Sequence, residues 1–205
     1  MFSYDFSKVD GVVFDFGGVI SESPMSKWDR TFYPYCESVG LSRQAVREGF
    51  ARYRALWDGD MISFAEMYAR IFALDGLPPP SEDVLSEIRR LDAASWVDEL
   101  RPDTLELMTT LKRQGKRLGI LSNMSSDFYR DFYVPRCEVY RELVDMEVIS
   151  GLEHMCKPDR RIYALAADRM GLPESRLLFV DDSEANVRAA CACGWQSEIY
   201  PPQRG

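Results

Sequence analysis

The chain has 205 residues, 46% of them hydrophobic and 12% aromatic, enough for one or two domains with a substantial core. A formal charge of -8 argues against broad nucleic-acid or anionic-membrane binding, which needs a basic surface. It leaves room for an anionic small molecule held by a bound cation and a few donors.

The start, MFSYDFSKVDG, lacks the basic and apolar regions of a signal peptide, and no apolar run reaches the roughly 20 residues of a membrane span. The five cysteines, Cys36, Cys137, Cys156, Cys191 and Cys193, are odd in number and scattered, which fits reduced thiols in a cytoplasmic protein. Cys191 and Cys193 have no second Cys or His pair nearby and read as helix-packing residues.

In chain order, the first apolar run, Gly11–Phe14, is too short for a helix and rich in Val and Phe, so it predicts a buried strand. From residue 21 to 100 there is no convincing strand. Val46, Phe50, Tyr53 and Trp57 recur at helical spacing, as do Phe64, Met67, Ile71 and Leu74 behind a capping box at Ser63 and Glu66. Val84, Ile88 and Leu91 form a third stripe after the break at Pro78-Pro79-Pro80. The pattern then alternates. A helix over 104–114 follows Pro102, a strand is predicted over 117–121 and another at 146–149, and a helix over 160–170 ends at Gly171. A strand over 177–180, a helix over 183–193 ending at Gly194, and a weaker strand at 196–200 complete the chain. Strand alternating with helix predicts an α/β fold with a parallel sheet covered on both faces and interrupted by an all-helical insertion.

The residues with chemistry sit where strands end. The run GVVFDFGGVI delivers Asp15, and LLFVDDSEAN delivers Asp181 and Asp182. Ligands of open α/β sheets bind beyond the carboxyl ends of the strands. If those two strands are neighbours, three carboxylates converge, and a hard dication with oxygen ligands, most often magnesium, relieves their repulsion. The run RLGILSNMS adds Ser122 and Asn123, neutral donors for a phosphoryl oxygen, and Lys157 before Pro158 adds a cation. Each motif alone is an ordinary turn or loop start. Together they supply what phosphoryl transfer requires, positioning and charge neutralisation around an in-line displacement.

In this order, VVFDFGGVI, ILSNMS, KPDRRIY and LLFVDDSEANV resemble the four motifs of the haloacid dehalogenase (HAD) superfamily, and more closely its phosphatases with a helical cap after the first strand. The resemblance covers the whole chain. It implies a Rossmann-like five-stranded core over 1–20 and 101–205, a mobile cap over 21–100, Mg2+, and an aspartyl-phosphate intermediate. Carried over by position, Asp15 is the nucleophile, Ser122 and Asn123 contact the phosphoryl group, and Lys157 stabilises the charge between Asp15 and phosphate. Asp15, the backbone carbonyl of Gly17, Asp182, and Asp181 directly or through water form the metal site, with Asn186 in support.

One departure matters. Most phosphatases of this superfamily carry a second Asp two residues after the nucleophile as general acid and base, and here that position is Gly17. Either the leaving group needs little help, as with an anomeric phosphate, or an acid enters from the cap side, where Glu22 is nearest in sequence. His154, the only histidine, reads as a loop residue. Trp28, Tyr33, Tyr35, Arg52 and Arg54 of the insertion receive no role.

The expected activity is hydrolysis of a small phosphorylated metabolite, a sugar phosphate among the candidates. Two rivals remain. A 2-haloacid dehalogenase needs no metal, and two adjacent acids would repel its substrate's carboxylate. A phosphate-binding regulatory module without turnover draws its support from Gly17.

Overall fold

A computed structural model describes residues 4–200. The ends of the expected core, 1–3 and 201–205, lie outside them. Five strands form one parallel sheet in the order β3-β2-β1-β4-β5: β1 Gly11–Phe14, β2 Arg117–Ser122, β3 Met146–Ile149, β4 Leu177–Asp181 and β5 Gln196–Ile199. The chain winds outward from β1 to β2 and β3 on one side and to β4 and β5 on the other, so β1 lies at the switch point of a doubly wound sheet.

The register explains the continuous apolar runs. Val12 and Phe14 of β1, Leu118 and Ile120 of β2, and Leu178 and Val180 of β4 join one buried cluster with Met108 and Leu111 of the helix Pro102–Arg113. The alternate residues Val13, Leu121, Leu177 and Phe179 join a second cluster with Ile162, Tyr163 and Met170 of the helix Arg160–Met170. Both faces are therefore covered, and every position of β1 and β4 is buried. β5 is half-buried throughout, which accounts for its weaker sequence signal.

Between β1 and β2 the chain is helical. A helical stretch over 25–38, with a π-helical segment at Trp28–Phe32, precedes the helices Arg43–Asp58, Phe64–Leu74 and Glu82–Val97. Ser42, Ser63 and Ser81 cap the last three by accepting backbone N–H groups at 3.1, 3.1 and 3.4 Å. The capping box is half made, because Glu66 turns to Arg70 at 2.6 Å. The insertion leaves and rejoins the sheet at one antiparallel bridge, Ser21 with Leu100. Its buried residues, among them Phe32, Tyr68 and Ile88, belong to the same apolar cluster as Phe14 and Phe16. Cys36 and Cys137 are buried and Cys193 packs against the second cluster, whereas Cys191 is exposed rather than helix-packed. Among the described residues no helix is long and apolar enough to cross a membrane.

Candidate active site

The sheet order places β1 between β2 and β4, so Asp15, Ser122 and the Asp181–Asp182 pair emerge side by side. Asp15 continues the ladder by donating its N–H to Val180 O at 2.8 Å, and its carboxylate accepts the Phe16 N–H at 2.7 Å. Lys157 Nζ lies 2.8 Å from Asp15 Oδ1 and 2.7 Å from Asp181 Oδ2, and it donates to Leu121 O at 3.0 Å. All three charged side chains are buried.

Asn123 fixes the lysine from the main chain. Its Nδ2 donates to Lys157 O at 2.9 Å, and its Oδ1 accepts the Lys157 N–H at 2.8 Å. One Nδ2 hydrogen and the oxygen of the Asn123 carboxamide are thus engaged by Lys157, and the side chain also lines the cavity. Ser122 lines the cavity, and its hydroxyl makes no hydrogen bond among the described residues. Asp181 is saturated: Ser183 N–H donates to Oδ1 at 2.7 Å and Asn186 Nδ2 reaches both oxygens at 3.1 Å. Asp182 is exposed and lines the cavity.

Oxygens of Asp15, Asp181 and Asp182 lie within 4.8 Å of one another. Burial pushes the Asp15 carboxyl up to about 7 in spite of the Lys157 charge, and Asp181 and Asp182 add to the rise. Although the residue as a whole is exposed, partial desolvation of its carboxyl, then Asp181, pushes Asp182 up to about 6. Burial works against the Lys157 charge, but Asp15 and Asp181 outweigh it and its pKa stands above the ordinary lysine value. Three carboxylates against one ammonium leave a net negative site with oxygen donors only, which fits a hard divalent cation. The backbone makes room for it. Gly18 sits at φ +72°, and a Cβ there would run into the Asp182 carboxylate.

The cavity above these residues measures about 240 Å³. Its far wall is Trp28, Phe50, Arg54, Asp58 and Trp96, all from the helical insertion. Arg54 Nε donates to Asp58 Oδ1 at 3.0 Å, and Nη1 lies 3.4 Å from Asp92 Oδ2. The guanidinium lies 4.6 Å from the Trp57 ring centroid, 5.4 Å from Phe50 and 5.8 Å from Trp96. The indole N–H groups of Trp28 and Trp96 favour the charged form of Asp92 without closing full hydrogen bonds to it.

Gly17 also lines the cavity, and a Cβ on it would meet Trp96 Cζ3 at 3.0 Å. Glu22 does not line it. Its side chain is exposed, because the backbone there is held at the bridge by a hydrogen bond from Glu22 N to Glu99 O at 3.0 Å. His154, exposed at φ +53°, faces Gly59 O at 3.4 Å. Sequence reasoning left Arg54 without a role and overlooked Asp58. Its i, i+4 spacing from Arg54 was the available signal, but that spacing usually marks a solvated pair.

The pattern of the haloacid dehalogenase-like hydrolases matches residues 9–194. The chain belongs to that family. Among characterised family members, it is 33% identical over 96 residues to an (S)-2-haloacid dehalogenase of Pseudomonas putida, a match covering 45% of this chain and 40% of the relative. It is 28% identical over 113 residues to phosphatase MT3486 of Mycobacterium tuberculosis, covering 55% and 51%. The chain thus spans about half or less of each of these relatives' length. The HAD family enzyme BT-2542 of Bacteroides thetaiotaomicron, solved with magnesium and inorganic phosphate, has the same fold, with a TM-score of 0.65 over 96% of both chains at 20% identity. The HAD-like α/β architecture expected from the four motifs is thereby established.

Proposed function

We propose that this protein is a magnesium-dependent phosphatase acting on a small phosphorylated metabolite, with Asp15 as nucleophile. The observation that carries this reading is the buried contact of Lys157 with both Asp15 and Asp181, beside an Asp182 that faces the cavity. A 2-haloacid would bring its own carboxylate to a site already net negative, whereas a phosphate ester arrives with a cation. The magnesium and phosphate held by BT-2542 support the same choice.

Asp15, Asp182 and the Gly17 carbonyl would hold magnesium, with the hydrogen-bonded Asp181 reaching it through water, and the ion when bound supplies positive charge to the phosphoryl oxygens. Lys157 neutralises Asp15 and the incoming phosphoryl group, and the free Ser122 hydroxyl donates to a phosphoryl oxygen. Asp15 attacks phosphorus, the bond to the leaving oxygen breaks, and water then cleaves the aspartyl phosphate. Asn123 and Asn186 are positioning residues, acting through Lys157 and Asp181. The segment 21–100 acts as the cap, and its aromatic wall excludes water and reads the leaving group.

The test is a phosphate-release screen over sugar phosphates, nucleotides and short acid phosphates, with and without magnesium, alongside chloride release from 2-chloropropionate. Phosphate release that needs magnesium and disappears in Asp15→Asn is the expected result. Full activity in that variant, or metal-independent chloride release instead, would reject the reading.

A further inference from the structure

The phosphatase reading leaves one proton without a donor. The position two residues beyond Asp15 is Gly17, and Trp96 fills the space above it. Three carboxylates line the cavity: Asp15, Asp182 and Asp58. The first two are committed to the nucleophile and the cation. We propose that Asp58 is the proton donor to the leaving oxygen and then the acceptor of a proton from the attacking water. This inference rests on the phosphatase reading and deepens it.

Asp58 ends the helix Arg43–Asp58, and the core holds that end in place. Its carbonyl accepts the Ser150 hydroxyl at 2.6 Å. Two residues on, the Asp60 carboxylate takes the Ser126 N–H at 2.9 Å and also the Ser126 hydroxyl. The acid is therefore anchored to segments that adjoin β2 and β3, although it belongs to the insertion. Its Oδ1 is held by Arg54, while Oδ2 has no partner among the described residues. The charged and titratable groups facing it are Arg54 from its own helix, Asp92 from the helix Glu82–Val97, and Lys157 and Cys156 from the loop before Arg160–Met170. Burial, opposed by Arg54 and reinforced by Asp92, pushes the Asp58 carboxyl up to about 6, so both protonation states are accessible near neutrality. Arg54 is a positioning residue that stabilises the carboxylate once the proton has left.

The steps balance. Asp15 Oδ bonds to phosphorus as the ester P–O bond breaks, and the departing oxygen takes the Asp58 proton, leaving an alcohol. Water then attacks phosphorus and gives its proton to the Asp58 carboxylate. The bond from phosphorus to Asp15 breaks, and inorganic phosphate leaves with Asp58 protonated again.

Asp58→Asn keeps the shape and an acceptor for Arg54. With magnesium, two probes separate the roles: p-nitrophenyl phosphate, whose leaving group needs no proton, and 2-phosphoglycerol, whose leaving group does. In the variant the nitrophenyl ester should give a burst of about one nitrophenol per enzyme, at a rate within roughly tenfold of wild type, followed by turnover slowed about 10²–10⁴-fold. The alkyl ester should give no burst and a loss of the same size. Equal slowing of both esters with no burst would make the Arg54–Asp58–Asp92 cluster merely structural and overturn the proposal. A wild-type protein that releases phosphate from neither ester, nor from any compound of the screen, would overturn the phosphatase reading as well. Should Asp58→Asn fail to fold, wild-type pH profiles carry the test. Activity on the alkyl ester should fall relative to the nitrophenyl ester above about pH 6, and parallel profiles would refute the role.

Discussion

The indole of Trp96 lies over Gly17, close enough that a Cβ there would meet Cζ3 at 3.0 Å. The two residues are far apart in sequence, one just past β1 and the other near the end of the insertion's last helix. Glycine at position 17 and tryptophan at 96 are thus one packing arrangement. Restoring the acid by Gly17→Asp should give no increase in phosphate release. It should also lower stability by about 1–3 kcal/mol through overpacking. Thermal unfolding and initial rates check this, and a tenfold gain in rate would mean that the ring yields.

Lys157 is the only cation in contact with the buried Asp15–Asp181 pair among the described residues. Lys157→Ala leaves two buried carboxylates without their partner and should cost about 3–5 kcal/mol, read from urea unfolding of the metal-free protein. Saturating magnesium should recover part of that loss without restoring turnover. A variant as stable as wild type would show that the ammonium does not compensate the pair.

The pH dependence of stability has a defined sign. Asp15, Asp58 and Asp182 have carboxyls raised from 3.8 to about 7, 6 and 6. Between about pH 4 and 7 the native protein therefore binds more protons than the unfolded chain, and stability falls as pH rises through that window. The melting temperature of the metal-free protein should drop from pH 5 to pH 7. Asp58→Asn should flatten the slope, and magnesium should flatten it further by stabilising ionised Asp15 and Asp182. A melting temperature that rises over this interval would contradict the assignment.

The insertion docks on the core through Asp60, whose carboxylate accepts both the N–H and the hydroxyl of Ser126. Asp60→Ala should cost about 1.5–3 kcal/mol, the usual range for hydrogen bonds to a charged group. Ser126→Ala should cost less, because the backbone donor remains. A double-mutant cycle on unfolding free energies should show clear coupling, whereas additive losses would mean that the contact is not made in solution.

Much of this was legible in the sequence because the sheet is buried on both faces. Gly11–Phe14 and Met146–Ile149 are continuous apolar runs for that reason, and their expected bounds match the strands. Arg160–Met170 matches because Gly171, at φ +59°, stops the helix. What escaped depends on contacts across the chain. Asn123 has the donors that a phosphoryl group wants, and nothing in the sequence signals that the main chain of Lys157, brought alongside by folding, engages its oxygen and one of its two amide hydrogens. Glu22 looked near Asp15 because it is near in sequence, yet the bridge at Ser21 turns it outward. Asp58 and Arg54 have the spacing of a solvated helical pair. Only the packing of Trp57, Phe50 and Trp96 around the guanidinium buries them.

The bridge between Ser21 and Leu100 has a further consequence. The chain departs and returns at adjacent points, and Arg101 N–H closes the junction on Ile20 O at 2.8 Å. A change of length between those points leaves the register of β1 against β2 and β4 untouched, and with it the place of Asp15. The far wall of the cavity, Asp58 included, can thus diverge like an interchangeable cassette, while the strand-end carboxylates Asp15, Asp181 and Asp182 stay where the sheet puts them.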